Sequence, residues 1–190
     1  MRKMSYRVWL FGEMLVFSIA SLVASFVLSQ NAIILAHDKD AVLSCSWNAV
    51  VNCANVGTSW QAYLFGFPNS FLGLICEPVV MTIAVLGLAK TEMPRWFLWT
   101  ANVVYGLGFI FAYWMLWQST FFIDSLCPWC LLVTLSTTFV FYSMTVWNMR
   151  ESSSKKAHSF VEGGWATISL VIWITLVVCV ELLHWFVFPA

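Results

Sequence analysis

The segment Leu126-Cys127-Pro128-Trp129-Cys130 is the sharpest chemical motif in the chain. Pro128 suits the first turn of a helix, where a missing N–H costs nothing. Cys127 and Cys130 then stand three residues apart on one helix face. Unpaired backbone N–H groups and the helix dipole favour an anion there, so the site favours the thiolate that attacks disulfides. The alternative is a plain disulfide at a helix start. A bridge between residues so close constrains the unfolded chain little, which favours a reactive pair. Cys45 and Cys53 are separated by seven residues. Alone, that spacing fits a loop-stapling disulfide; beside a CxxC on the same membrane face it favours a relay. Two dithiols at one surface can exchange electrons through an interloop disulfide, with a quinone as the natural lipid-soluble acceptor. A four-cysteine zinc site is disfavoured, because only the second pair has zinc-like spacing. His37, His158 and His184 fall in unrelated places and add no ligand cluster. Cys76 and Cys179 lie within apolar stretches and read as small buried hydrophobes.

The loop after Cys53 carries weaker patterns. Thr58-Ser59-Trp60-Gln61 fits a capping box with Thr58 as N-cap. Trp60, Leu64 and Phe67 recur at helical spacing, which predicts a short amphipathic helix on the bundle mouth, apolar side down. It would be either a lid that excludes water or a merely interfacial helix. Gly66-Phe67-Pro68-Asn69 turns the chain into the next span, with Asn69 able to meet a quinone carbonyl or to cap the helix. Glu13, Glu77 and Glu181 fall within apolar spans, where carboxyls are expensive. Glu77, beside Pro78, reads as a proton relay or as a protonated carboxyl bonded between helices. Glu181 and His184 are placed to pair with each other.

These residues need a membrane to position them. Of 190 residues 61% are hydrophobic and 9% charged, whereas soluble domains average about a quarter charged. Aromatics reach 17%, with twelve Trp, which excludes a disordered chain and suits membrane interfaces. Five apolar stretches reach the roughly 20 residues a spanning helix needs: about 8–29, 70–88, 96–122, 126–147 and 165–188. They define one transmembrane domain over 1–190, with an outer catalytic loop at 30–69 and a tight hairpin at Ile123–Ser125. Arg2, Lys3, Arg7, Lys90, Arg95, Arg150, Lys155 and Lys156 fall on one side of that topology and only Lys39 on the other. The N-terminus is therefore cytoplasmic, the C-terminus outside and the four paired cysteines at the outer face of a plasma membrane. The first span is too long for a signal-peptide core and is read as a retained helix. Nothing in the charge pattern points to nucleic acid.

Cys45-x7-Cys53, Ser59, Phe65-Gly66-Phe67-Pro68-Asn69-Ser70 and the CxxC that opens the fourth span together resemble the vitamin K epoxide reductase (VKOR) family. The short connection from Ser59 to Asn69 is similar to bacterial, actinobacterial-like members. The resemblance implies an all-α integral membrane fold: a four-helix bundle around a quinone, plus a fifth transmembrane helix and an outer lid helix. It implies catalytic roles for Cys45, Cys53, Cys127 and Cys130, with electrons passing in that order. Cys45 would meet a DsbA-like thioredoxin-fold partner and Cys130 the quinone, menaquinone in preference to ubiquinone. Ser59 and Asn69 match positions that the family uses to order the lid and contact the quinone, and Thr134 stands at a further quinone-side position. Animal members carry Tyr where Thr134 stands; a hydroxyl remains but the ring is gone, so the resemblance does not extend to epoxide reduction or anticoagulant binding. The chain ends at Ala190 without a thioredoxin domain, so the partner is expected to be a separate protein. The implied activity is quinone-dependent disulfide generation, in contact with membrane lipid and the quinone pool.

Three other functions compete. DsbB-type oxidases place their CxxC in the first outer loop, whereas here it heads the fourth span. A reductant exporter needs cysteines reachable from the cytoplasm, for which Cys76 and Cys179 are poor candidates. A non-enzymatic assembly or channel subunit would keep the disulfides as structure, and an ion pathway would show polar groups along one face.

Overall fold

The computed structural model describes residues 2–39, 41–152 and 154–187. The elements are α1 (Arg2–His37), α2 (Cys53–Thr58), a 3-10 turn (Trp60–Tyr63), α3 (Ser70–Leu88), α4 (Arg95–Phe121), α5 (Pro128–Glu151), α6 (Lys155–Glu162) and α7 (Trp165–Val187). Five of them, α1, α3, α4, α5 and α7, are long and apolar enough to cross a membrane. In hydrocarbon every backbone N–H and C=O must be satisfied within the protein, which a helix does in one segment. The chain is thus an all-α, multi-pass membrane protein, as its sequence predicts.

α1 is the common partner of α3 and α5, and α4 packs on α5. The α1–α3 seam follows from residue size. Ser18, Ser21, Ser25 and Ser29 recur every three or four residues on α1, and all are buried. Small side chains let membrane helices approach closely and supply interhelical hydrogen bonds. Gly73 on α3 meets Ser25, with no room for a Cβ between them. One turn towards the cysteines, Ser29 Oγ donates to Ser70 Oγ at 3.0 Å. At the other end, Arg7 donates to the carbonyls of Gly87 (2.8 Å) and Thr91 (3.1 Å), covering backbone groups in and just beyond the last turn of α3. An apolar cluster there includes Phe11, Met14, Ile83, Leu98 and Val140. α7 lies outside the cavity wall and reaches α4 and α5 through side chains. Trp173 meets Phe109 and Tyr113, and the hydroxyls of Tyr142 and Thr167 bond at 2.8 Å.

The elements differ from the sequence expectation in three places. α1 continues to His37 rather than stopping near Ser29, because Leu35 is buried against Leu43, Val56 and the cysteines and carries the helix past its apolar run. α6 occupies part of the connector read as merely polar; it is two turns long and buries only Val161, too little to register as an apolar stripe. The short helix of the loop is also displaced towards the N-terminus. α2 starts at Cys53, capped by Asn52, whose Oδ1 accepts from the N–H groups of Ala54 (3.0 Å) and Asn55 (3.3 Å). Thr58 is therefore its last residue and not an N-cap, and its hydroxyl donates back to Ala54 O at 2.8 Å. Trp60 points outward while Gln61 is buried, Nε2 donating to Gln118 Oε1 at 3.2 Å. The apolar-side-down reading fails for Trp60 because lipid as well as protein lies beside a membrane rim, so apolar spacing cannot tell inside from outside. Phe188, the end of the last expected span, lies outside the described residues.

Candidate functional site

Two short backbone segments bring the paired cysteines together. Asn52 N–H donates to Leu126 O at 3.0 Å and Leu126 N–H to Val50 O at 2.7 Å, around a parallel bridge between Val51 and Leu126. The residues next in sequence are Cys53 and Cys127. Ser125 strengthens the tie: its hydroxyl accepts from Asn55 Nδ2 at 3.1 Å and donates to Ala49 O at 3.4 Å. The α4–α5 turn beneath it holds Asp124 at a φ of 51°, the left-handed region that Asp tolerates better than most residues. Ser119 Oγ donates to Ser125 O and locks that turn to α4.

Cys45 and Cys53 form a disulfide. Cys127 and Cys130 are free thiols, Cys127 buried and Cys130 half-buried. Cys45, Cys53 and Cys127 share one buried cluster, with Cys130 packed against it. Cys127 is the N-cap of α5, and the N–H of Cys130 donates to its Sγ at 3.4 Å. The Cys130 thiol also donates to Cys127 and, with the N–H groups of Cys130 and Trp129, holds the Cys127 thiol below the ordinary cysteine range against the opposing effect of burial. Cys45, read from the sequence as the thiol that meets a partner, is buried, with Asn31 Nδ2 at 3.7 Å from its sulfur. Its bond to Cys53 removes both from the thiolate set a zinc site would need.

A cavity of about 660 Å³ opens beside these sulfurs and descends between α1, α3, α4 and α5, within the usual range for small-molecule pockets. Cys53, Cys127 and Cys130 line its upper end, Asn69 and Thr134 its wall, and Glu77 and Tyr105 its deeper part. Its walls are almost wholly apolar. Asn69 sits at the N-cap position of α3, but its side chain makes no capping bond. Its Nδ2 donates to Gln61 O at 2.6 Å and lies 3.7 Å from Met115 Sδ, while its buried Oδ1 has no partner. The bond to a carbonyl fixes which end of the amide is nitrogen. Thr134 donates to Cys130 O at 3.0 Å. Ser59 does not line the cavity; its hydroxyl donates to Val56 O at 2.7 Å and ends α2.

Of the intramembrane acids, only Glu77 reaches the cavity. Glu181 takes the Thr120 hydroxyl at 2.9 and 3.0 Å, and His184, the partner expected for Glu181, has Nε2 3.8 Å from Asp124 Oδ1. Sequence reasoning missed Tyr105, Ser21, Ser125 and Asn52, none of which belongs to a spacing motif; only the Asn immediately before Cys53 hinted at a cap.

A family model described as "Vitamin K epoxide reductase family" matches residues 13–145. That range takes in the cavity-lining residues of all four walls, both cysteine pairs and Asn69. Neither a search of curated proteins nor a search of solved structures gives a match.

Proposed function

The chain belongs to the vitamin K epoxide reductase family and is thereby a membrane disulfide oxidoreductase; we propose that it oxidises a DsbA-like thioredoxin-fold partner and passes the electrons through its two cysteine pairs to a quinone. The observation that carries this reading is the Val51–Leu126 bridge, which sets Cys53 beside Cys127 while Cys130 borders an apolar cavity. A family of this kind generally works with a quinone and a thioredoxin-fold protein. Residues 1–190 act as one domain in this scheme. The cysteine end faces outward, since Arg7, Lys90, Arg95 and Arg150 gather at the opposite end.

The bonded pair is the one a reduced partner attacks. A partner thiolate takes Cys45 Sγ, the Cys45–Cys53 bond breaks, and Cys53 leaves as a thiolate at the first position of α2. Because Cys45 is buried, this step requires the segment around it to lift. The second partner thiol displaces Cys45 and leaves a Cys45/Cys53 dithiol. Cys53 then attacks Cys127 of an oxidised Cys127–Cys130 pair, freeing Cys130; Cys45 resolves the interloop bond. The resulting Cys127/Cys130 dithiol, with Cys45–Cys53 bonded, is the state the structure holds. Cys130 closes the cycle by returning to Cys127 as two electrons leave. A quinone, menaquinone in preference to ubiquinone, would supply the acceptor for these two electrons and two protons and leave as quinol. Asn69 suits both forms: its second N–H, now directed only at the weak acceptor Met115 Sδ, meets a carbonyl, and its partnerless Oδ1 meets the hydroxyl that replaces it. Thr134 orders the first turn of α5 through Cys130 O, and Ser59 orders α2 from behind.

The test is purified protein with a reduced thioredoxin-fold partner, quinone absorbance being followed over time. Cys130→Ala should abolish quinone reduction and still trap a mixed disulfide with the partner. Cys45→Ala should block the protein partner but spare a small dithiol. Quinone reduction by Cys130→Ala at near wild-type rate refutes the relay.

A further inference from the structure

We propose that Glu77 is the second polar anchor of the quinone site, its Oε2–H donating a hydrogen bond to the ring oxygen remote from the cysteines. The inference rests on the quinone reading above and adds the group that meets the ring's far end. Glu77 is 4% exposed and lines the cavity. Ser21 Oγ from α1 donates to its Oε1 at 2.8 Å, and Tyr105 OH from α4 donates to the same atom at 3.0 Å. Two donated bonds fill both lone pairs of that oxygen. Oε2 is buried and has no partner. A carboxyl in hydrocarbon whose bonded partners are hydroxyls is carried as the neutral acid. Its proton must then sit on Oε2, since Oε1 already accepts twice. The result is an oriented O–H donor, fixed by two helices and buried without an acceptor within the wall of an apolar cavity.

The spacing fits a para-quinone. Asn69 and Glu77 are eight residues apart on the helical path of α3, which is about 12 Å at a rise of 1.5 Å per residue. Two carbonyls of about 1.2 Å across a six-membered ring put the oxygens roughly 5 Å apart. A hydrogen bond of about 2.8 Å at each end brings the span to roughly 11 Å. Thr134, the other hydroxyl read as quinone-facing, already donates to Cys130 O, so it does not fill this role. A carboxyl that served only as a strut between α1, α3 and α4 would need no donor directed away from its two partners.

The experiment is infrared difference spectroscopy of the full chain in lipid, with and without isotope-labelled menadione. Binding should shift the carboxylic C=O band of Glu77, identified by its absence in Glu77→Gln, and should lower one menadione carbonyl band. Glu77→Leu should restore that carbonyl band to its free position and weaken binding roughly tenfold, the worth of one hydrogen bond. Glu77→Gln keeps a donor and should bind within roughly threefold of wild type. Menadione that binds while the Glu77 band stays still overturns the anchor alone, and it leaves the relay standing. Menadione that fails to bind the wild-type chain overturns both.

Discussion

Gly73→Ala probes whether the seam between α1 and α3 sets the geometry of the cavity. A Cβ at Gly73 would lie 2.0 Å from Ser25 Oγ and 2.8 Å from Ser25 Cβ. The hydroxyl can rotate away, but Ser25 Cβ is fixed to the α1 backbone. Reaching an ordinary contact of 3.4 Å from 2.8 Å requires the helices to part by at least about 0.6 Å. Overpacking of this kind costs about 1–3 kcal/mol, while replacing Gly by Ala inside a helix returns about 1 kcal/mol. Net stability should therefore fall by about 1 kcal/mol. Activity has no such offset, because Asn69 and Glu77 flank Gly73 on α3, one turn to either side. A misplacement near 1 Å can cost about a hundredfold in rate, so quinone turnover should fall far more than stability does. Adding Ser25→Gly removes both clashing atoms and should recover most of the lost turnover. Thermal unfolding in lipid and steady-state quinone kinetics, run as a double-mutant cycle, measure both quantities. Wild-type turnover in Gly73→Ala, or no recovery on adding Ser25→Gly, refutes the seam as the determinant.

Three further outcomes follow from the site. Ser125→Ala removes the bonds to Asn55 and Ala49, each worth about 1 kcal/mol; in a Cys45→Ala, Cys130→Ala background it should slow formation of the Cys53–Cys127 disulfide several-fold, read by non-reducing gel. Alkylation of Cys127 in the fully reduced chain should reach its half-maximal rate at a lower pH than an ordinary cysteine, because only the thiolate reacts. Cys130→Ala removes the principal donor to that thiolate and should move the profile to higher pH; an unmoved profile contradicts the assigned cause. Asn52→Ala strips the cap from α2 and should cost about 1 kcal/mol, seen as faster amide exchange at Ala54 and Asn55, with α5 unaffected.

Legibility in the sequence followed the range of the interaction. Spans show in composition because hydrocarbon rewards apolar residues one at a time, and the CxxC at Cys127–Cys130 shows because its pairing is local to one helical turn. The displaced short helix was illegible for a different reason. Thr58 and Gln61 satisfy a capping pattern, but Asn52 starts the helix earlier, where a backbone bridge to Leu126 holds the chain. The family resemblance alone groups Ser59 with Asn69; the Ser59 hydroxyl closes α2, and the residue does not line the cavity.

By itself the sequence determined a helical membrane protein with two cysteine pairs at one end, since those properties depend on residue type and on short spacing. Only the tertiary structure decided which backbone segments lie side by side. It placed Cys53 next to Cys127 through residues with no motif of their own. It also brought Ser21 and Tyr105 from two other helices onto one oxygen of Glu77, leaving the other oxygen facing no partner. Hydrogen bonds between groups 28 and 56 residues apart leave no periodicity for a sequence to display; they exist because α1, α3 and α4 border one cavity.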